Sequence, residues 1–128
     1  MTDWDDVPYR QSLHEAMAIL NGQWTIAVIS TLVFGERTFS DIQSEVNETE
    51  ARLGWTSHPR PLSDRVLTDT LRRLQRNGLI ERRAEEGGKF AAVWYQLTGD
   101  GRALLRALHP LATWAQHHRE IVAEPEPR

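Results

Sequence analysis

The chain has 128 residues, 40% of them hydrophobic and 26% charged, the composition of one ordinary globular domain that can bury a core without covalent staples. It contains no cysteine, which excludes disulfides, a thiol nucleophile, thiolate metal ligation and a thiol redox switch. The net charge of −3 hides an asymmetry: between Arg60 and Arg83, seven arginines (60, 65, 72, 73, 76, 82, 83) stand against Asp64, Asp69 and Glu81, a local +4 that leaves −7 for the rest. A basic stripe on an acidic body is either a solvated helix face or the electrostatic footprint of a polyanion-binding surface.

Residues 1–9 have no apolar periodicity and are expected to be a loose arm. Their acidic start, Asp3, Asp5 and Asp6, is unlike a secretory signal, and the apolar run Trp24–Phe34 is too short for a membrane span; both features predict a cytoplasmic protein. From Arg10 to Leu20 the apolar residues Leu13, Ala16, Met17 and Leu20 recur at helical spacing, and Asn21-Gly22 ends the helix. A second helix, apolar all round and so expected to be buried, covers about Trp24–Val33. After a turn at 34–37, Thr38 is an N-cap with Asp41 three residues on, opening a helix that buries Phe39, Ile42 and Val46. Residues 47–52 can extend that helix, whereas Gly54, Pro59 and Pro61 cannot.

Ser63 caps a strong helix with Leu67, Leu71 and Leu74 on one face, closed by Asn77-Gly78. Leu79–Arg83 and Val93–Leu97 read as strands joined by a Gly-rich hairpin loop. Thr98 opens a last helix, about Asp100–Ile121, with Pro110 expected to kink it, and residues 123–128 are disordered in type. The predicted fold is mainly α (α+β): a winged helix-turn-helix with a two-stranded wing, a single domain over 10–122. Its first and last helices carry more apolar surface than one such module covers, which favours a homodimer interface through Leu13, Met17, Leu104, Leu108, Leu111 and Trp114 over a last helix that serves the core alone.

Several stretches then resemble the HxlR-type regulators, relatives of the MarR group. Asn21-Gly22-Gln23-Trp24-Thr25 is similar to that family's entry to its second helix, and Arg37–Ile42 to its Arg-Phe-x-Glu-Leu. Ser63–Thr68, Leu71–Leu74 and Gly78–Ile80 follow its reading-helix pattern, Tyr95–Gly101 fits Tyr-x-Leu-Thr-x-x-Gly, and Trp114 falls where the family keeps a tryptophan. The resemblance implies a dimeric transcriptional regulator that binds double-stranded DNA. Two departures stand out. The sensing cysteine, which would lie near Gln11, is absent, and the connection from Val46 to Leu62 is much longer than the family's.

On the helix after Ser63, residues 65, 69, 72 and 76 share a face opposite the leucines. Arg65, Thr68 and Arg72 are the expected readers of the major groove, since arginine can bond guanine in bidentate fashion and threonine a base or a thymine methyl. Asp69 either accepts from cytosine or, the favoured reading, pairs with Arg65 or Arg72. Ser63, Arg73, and Thr38 and Ser40 at a helix N-terminus complete the expected DNA contacts. Lys89 at the wing tip, with Arg82 or Arg83 at its base, is expected to reach a flanking backbone, and Arg60 joins if the inserted loop folds toward DNA. Trp55 is assigned to a small-molecule effector. No metal site is expected, because His109, His117 and His118 lack a ligand pattern, and no cofactor or catalytic constellation is expected either. The resulting expectation is a regulator, a repressor in preference to an activator, released from an inverted-repeat operator by an effector. The alternatives are a winged-helix protein-interaction module and, more remotely, an enzyme assembled across a dimer.

Overall fold

The structure, a computed structural model, describes residues 7–22, 24–53, 60–88 and 91–119. In chain order its elements are α1 (Val7–Leu20), α2 (Thr25–Thr31) running into a 3-10 turn (Leu32–Phe34), β1 (Arg37–Thr38), α3 (Phe39–Leu53), α4 (Asp64–Arg76), β2 (Ile80–Ala84), β3 (Val93–Leu97) and α5 (Gly99–His117). Helix α1 starts at Val7 rather than Arg10, because Pro8 in a first turn lacks only an N–H that would go unpaired there. Residues 120–121 of the expected last helix, and the tail, lie outside the described residues.

The sheet is three-stranded, in the order β1-β3-β2 and antiparallel throughout. The expected two-stranded hairpin is present as β2–β3, and β1 adds a third strand beside it. Arg37 and Thr38 pair with Tyr95 and Trp94, adding an edge strand too short to show any alternation in sequence. Across the hairpin, Ile80 pairs with Leu97, Arg82 with Tyr95 and Arg83 with Trp94. Paired residues share a face, so Ile80, Leu97 and Tyr95 turn to the core while Trp94 and Arg83 turn away.

The core gathers Trp24, Val28, Ile29 and Leu32 from the α2 region, Ile42 and Val46 from α3, and Leu67, Leu71 and Leu74 from α4, with Leu62 ahead of that helix and Leu79, Ile80, Tyr95 and Leu97 from the sheet side. At about 1.5–3 kcal/mol for each fully buried large aliphatic side chain, the three α4 leucines alone anchor that helix firmly. Helix α2 departs from the expectation of burial all round. Its inner side is sealed, but Ile26, and Val33 and Phe34 of the 3-10 turn that follows, stand exposed, Phe34 at 85%.

Both ends of α4 are specified locally. Ser63 is extended, and its Oγ accepts the Val66 N–H at 3.2 Å, satisfying one of the free amides of the first turn. At the other end Gly78 takes φ +74°, a conformation that costs a side-chain-bearing residue, and the Leu79 N–H returns to the Leu74 carbonyl at 3.0 Å. The start of α5 then closes on this turn. The Thr98 N–H donates to the Leu79 carbonyl at 3.0 Å, and its hydroxyl donates to the Gly78 carbonyl at 2.7 Å while accepting the Gly101 N–H at 3.0 Å. A Cβ at Gly101 would overlap the Leu79 carbonyl oxygen, so only glycine permits this approach.

Candidate nucleic-acid interface

Helix α4 buries Leu67, Thr70, Leu71 and Leu74 and turns Arg65, Asp69, Arg72 and Arg76 outward as an exposed row. Thr68 flanks the row half-buried; its hydroxyl donates to the Asp64 carbonyl at 2.8 Å, which leaves its lone pairs free to accept. Of the two readings of Asp69, the favoured one is not realised: among the described residues Asp69 joins neither of the ion pairs, Arg37–Glu45 and Arg83–Glu36. Arg65, Arg72 and Arg76 make no ion pair among the described residues either, so their guanidiniums are available to a ligand.

The other expected contacts divide by environment. Thr38 ends β1, and its Oγ1 accepts the Asp41 N–H at 3.2 Å, capping α3 beside the exposed Ser40. Ser63 is the cap of α4. Arg82 is exposed on β2 and Arg60 is exposed ahead of α4. Arg73 differs from its neighbours: its guanidinium donates to Thr25 Oγ1, its Nε is buried without a partner, and the side chain fills the space beside Gly22. It ties α4 to the start of α2 instead of standing in the exposed row. Lys89 and Trp55 lie outside the described residues.

Arg83 is also engaged within the chain. It donates to both oxygens of Glu36, at 2.7 and 3.3 Å, and lies over the Trp94 ring at 5.9 Å from the centroid. The Glu36 hydrogen bond is the main cause of a raised Arg83 pKa, so the guanidinium stays charged. Trp94 Nε1 donates to Glu85 at 2.9 Å, and Gln96 Nε2 to Glu81 at 2.7 Å. The outer sheet face is therefore a ladder of satisfied cross-strand pairs with three carboxylates on it.

Sequence reasoning passed over two features. Val66, an exposed apolar side chain at the start of α4, can meet a thymine methyl. Gln43 and Asn47 of α3 grip the entry to α4, Gln43 Nε2 donating to the Leu62 carbonyl at 3.0 Å and Asn47 Oδ1 accepting the Leu62 N–H at 2.8 Å. No sequence signal marks that grip, since it spans a long connection.

The apolar residues assigned to a dimer split. Leu104 packs partly against the core and Leu108 is half-buried, whereas Leu13, Met17, Leu111 and Trp114 are 44%, 51%, 52% and 48% exposed. Trp114 stacks on His118 with ring centroids 4.5 Å apart. Among the described residues no single helix is long and apolar enough to cross a membrane, and no cluster of His, Asp or Glu is arranged to hold a metal ion.

Helices α3 and α4, set against a hairpin and flanked by α1 and α5, define a winged helix-turn-helix protein. The chain belongs to the HxlR-like helix-turn-helix family, which matches residues 19–122. It is thus a transcriptional regulator by family and not an enzyme. It is 29% identical, over 98% of its length and 87% of the relative's, to an uncharacterized HTH-type transcriptional regulator from Methanothermobacter thermautotrophicus. Among solved structures, a transcriptional regulator assigned to the MarR family from Enterococcus faecalis superposes with a TM-score of 0.69 at 25% identity, over 96% of this chain and 94% of that one. The reduced form of the regulator YodB from B. subtilis superposes at 0.61 with 23% identity, over 81% and 88% of the two chains, a likeness of fold.

Proposed function

We propose that the protein is a sequence-specific regulator that binds double-stranded DNA as a homodimer, with α4 in the major groove. The observation that carries this reading is the exposed row Arg65, Asp69, Arg72 and Arg76 on a helix whose opposite side is locked into the core, together with the absence of ion pairs to those arginines among the described residues. A rigid helix presenting free guanidiniums can read guanine edges. Arg65, Thr68 and Arg72 are the readers. Thr38, Ser40, Ser63, Arg82 and Lys89 supply phosphate contacts. Arg73, expected among them from the sequence, serves this reading by holding α4 through Thr25.

The second copy is supported by Leu13 and Met17 of α1 and Leu111 and Trp114 of α5, apolar side chains about half exposed in the single chain, with Leu104 and Leu108 behind them. A two-fold pair presents two reading helices to an inverted repeat. Repression in the cytoplasm, relieved by a small molecule, fits this arrangement, and Trp55 is the residue assigned to that molecule. YodB has a diamide-treated form; this chain has no cysteine, so its signal is not thiol oxidation.

The test is selection of duplexes from a random-sequence library by the full chain, followed by titration of the selected duplex at several salt concentrations. Specific binding that weakens steeply with salt is expected, and sedimentation should show two copies per duplex. If no duplex is enriched by a folded dimer, the DNA reading is wrong.

A further inference from the structure

We infer that Gln43 and Asn47 are the positioning residues that set the angle of the reading helix, and that the long connection before it does not. This rests on the DNA-binding reading above. Leu62 immediately precedes the cap of α4 and is 2% exposed, so its backbone N–H and C=O are both removed from water and need partners. Asn47 supplies both, accepting the N–H at 2.8 Å and donating to the carbonyl at 3.3 Å. Gln43, one turn earlier on α3, donates to the same carbonyl at 3.0 Å and to Asp64 Oδ1 at 2.8 Å. The two amides therefore hold a residue of the entry segment and the first residue of α4 against one side of α3.

That side of α3 is itself fixed, because Ile42 and Val46, next to the two amides in sequence, are core residues. In a short helix-turn-helix the turn dictates the angle between the helices. Here the connection is longer, and side-chain hydrogen bonds hold its described end, Leu62, and the first residue of α4 to α3. The side-chain clasp takes over the role of the turn. It also ties up the Asp64 carboxylate, an acidic group at the entrance of a basic face.

The experiment titrates full-length variants against two probes: a duplex enriched by the wild-type chain and a random duplex of equal length. Asn47→Ala should lose about tenfold or more on the enriched duplex and stay within about twofold on the random one, because orientation matters for base contacts and little for phosphate contacts. Asn47→Asp, which keeps the acceptor for the Leu62 N–H, should recover part of the loss. Gln43→Glu, which sets a carboxylate against Asp64, should lose more than Gln43→Ala. Adding Gly-Ser-Gly-Ser after Leu53 in the otherwise wild-type chain should change neither affinity by more than about twofold. Equal losses on both duplexes, no loss on the enriched one, or an insertion as harmful as Asn47→Ala would each overturn the inference. If the wild-type chain enriches no duplex, the DNA reading falls by itself. The clasp is then judged by hydrogen exchange, where a faster Leu62 amide in Asn47→Ala supports it and an unchanged one overturns it.

Discussion

Three arginines of α4 and two of the sheet live in opposite circumstances. On α4, Arg65, Arg72 and Arg76 project from a helix that is anchored behind them and make no ion pair among the described residues. On the sheet, Arg83 is held by Glu36 and Trp94, and Arg37 by the Thr31 carbonyl and Glu45. Charge counted along the sequence cannot separate the two groups. Partners can: an arginine already satisfied has little to gain from a phosphate, whereas a free one on a rigid support has everything to gain.

The sharpest way to break that contrast is to remove the support. Leu71→Ala should cost about 2–5 kcal/mol of stability, read by denaturant unfolding, because it empties a site at the centre of the core. Next, Arg72→Ala or Arg65→Ala should cost about 1–3 kcal/mol of binding to the selected duplex while the unfolding midpoint stays put. If either leaves binding untouched, the free row is not the reader. Arg73→Ala should act the other way round, lowering stability by about 1 kcal/mol through loss of the Thr25 bond and leaving the salt slope of binding unchanged. Arg82→Ala should weaken selected and random duplexes alike and lower the salt slope by about one. The smallest effect belongs to Arg83→Ala, whose exposed pair with Glu36 should leave duplex affinity unaltered and the melting temperature barely changed.

What could be read beforehand follows from range. Ser63, the leucine stripe and Asn77-Gly78 specify α4 within a few residues of itself, and its limits emerged as expected. Thr98 and the strand Val93–Leu97 were legible for the same reason. The features that escaped depend on partners far along the chain. Strand β1 exists because β3 is beside it, Arg73 turns inward because Thr25 is there, and the Leu62 clasp joins residues that the sequence keeps well apart. The exposed side of α2 escaped for a different reason: apolar composition says that a helix can be covered, not that it is.

Gly101 lets α5 close against the turn that follows α4. With no side chain there, the first turn of α5 sits directly on the Leu79 carbonyl, three residues past the end of α4, in a joint with no room for a Cβ. Gly101→Ala would insert a methyl-sized shim into the joint, and a chain that still folded around it would carry its reading helix at a different pitch.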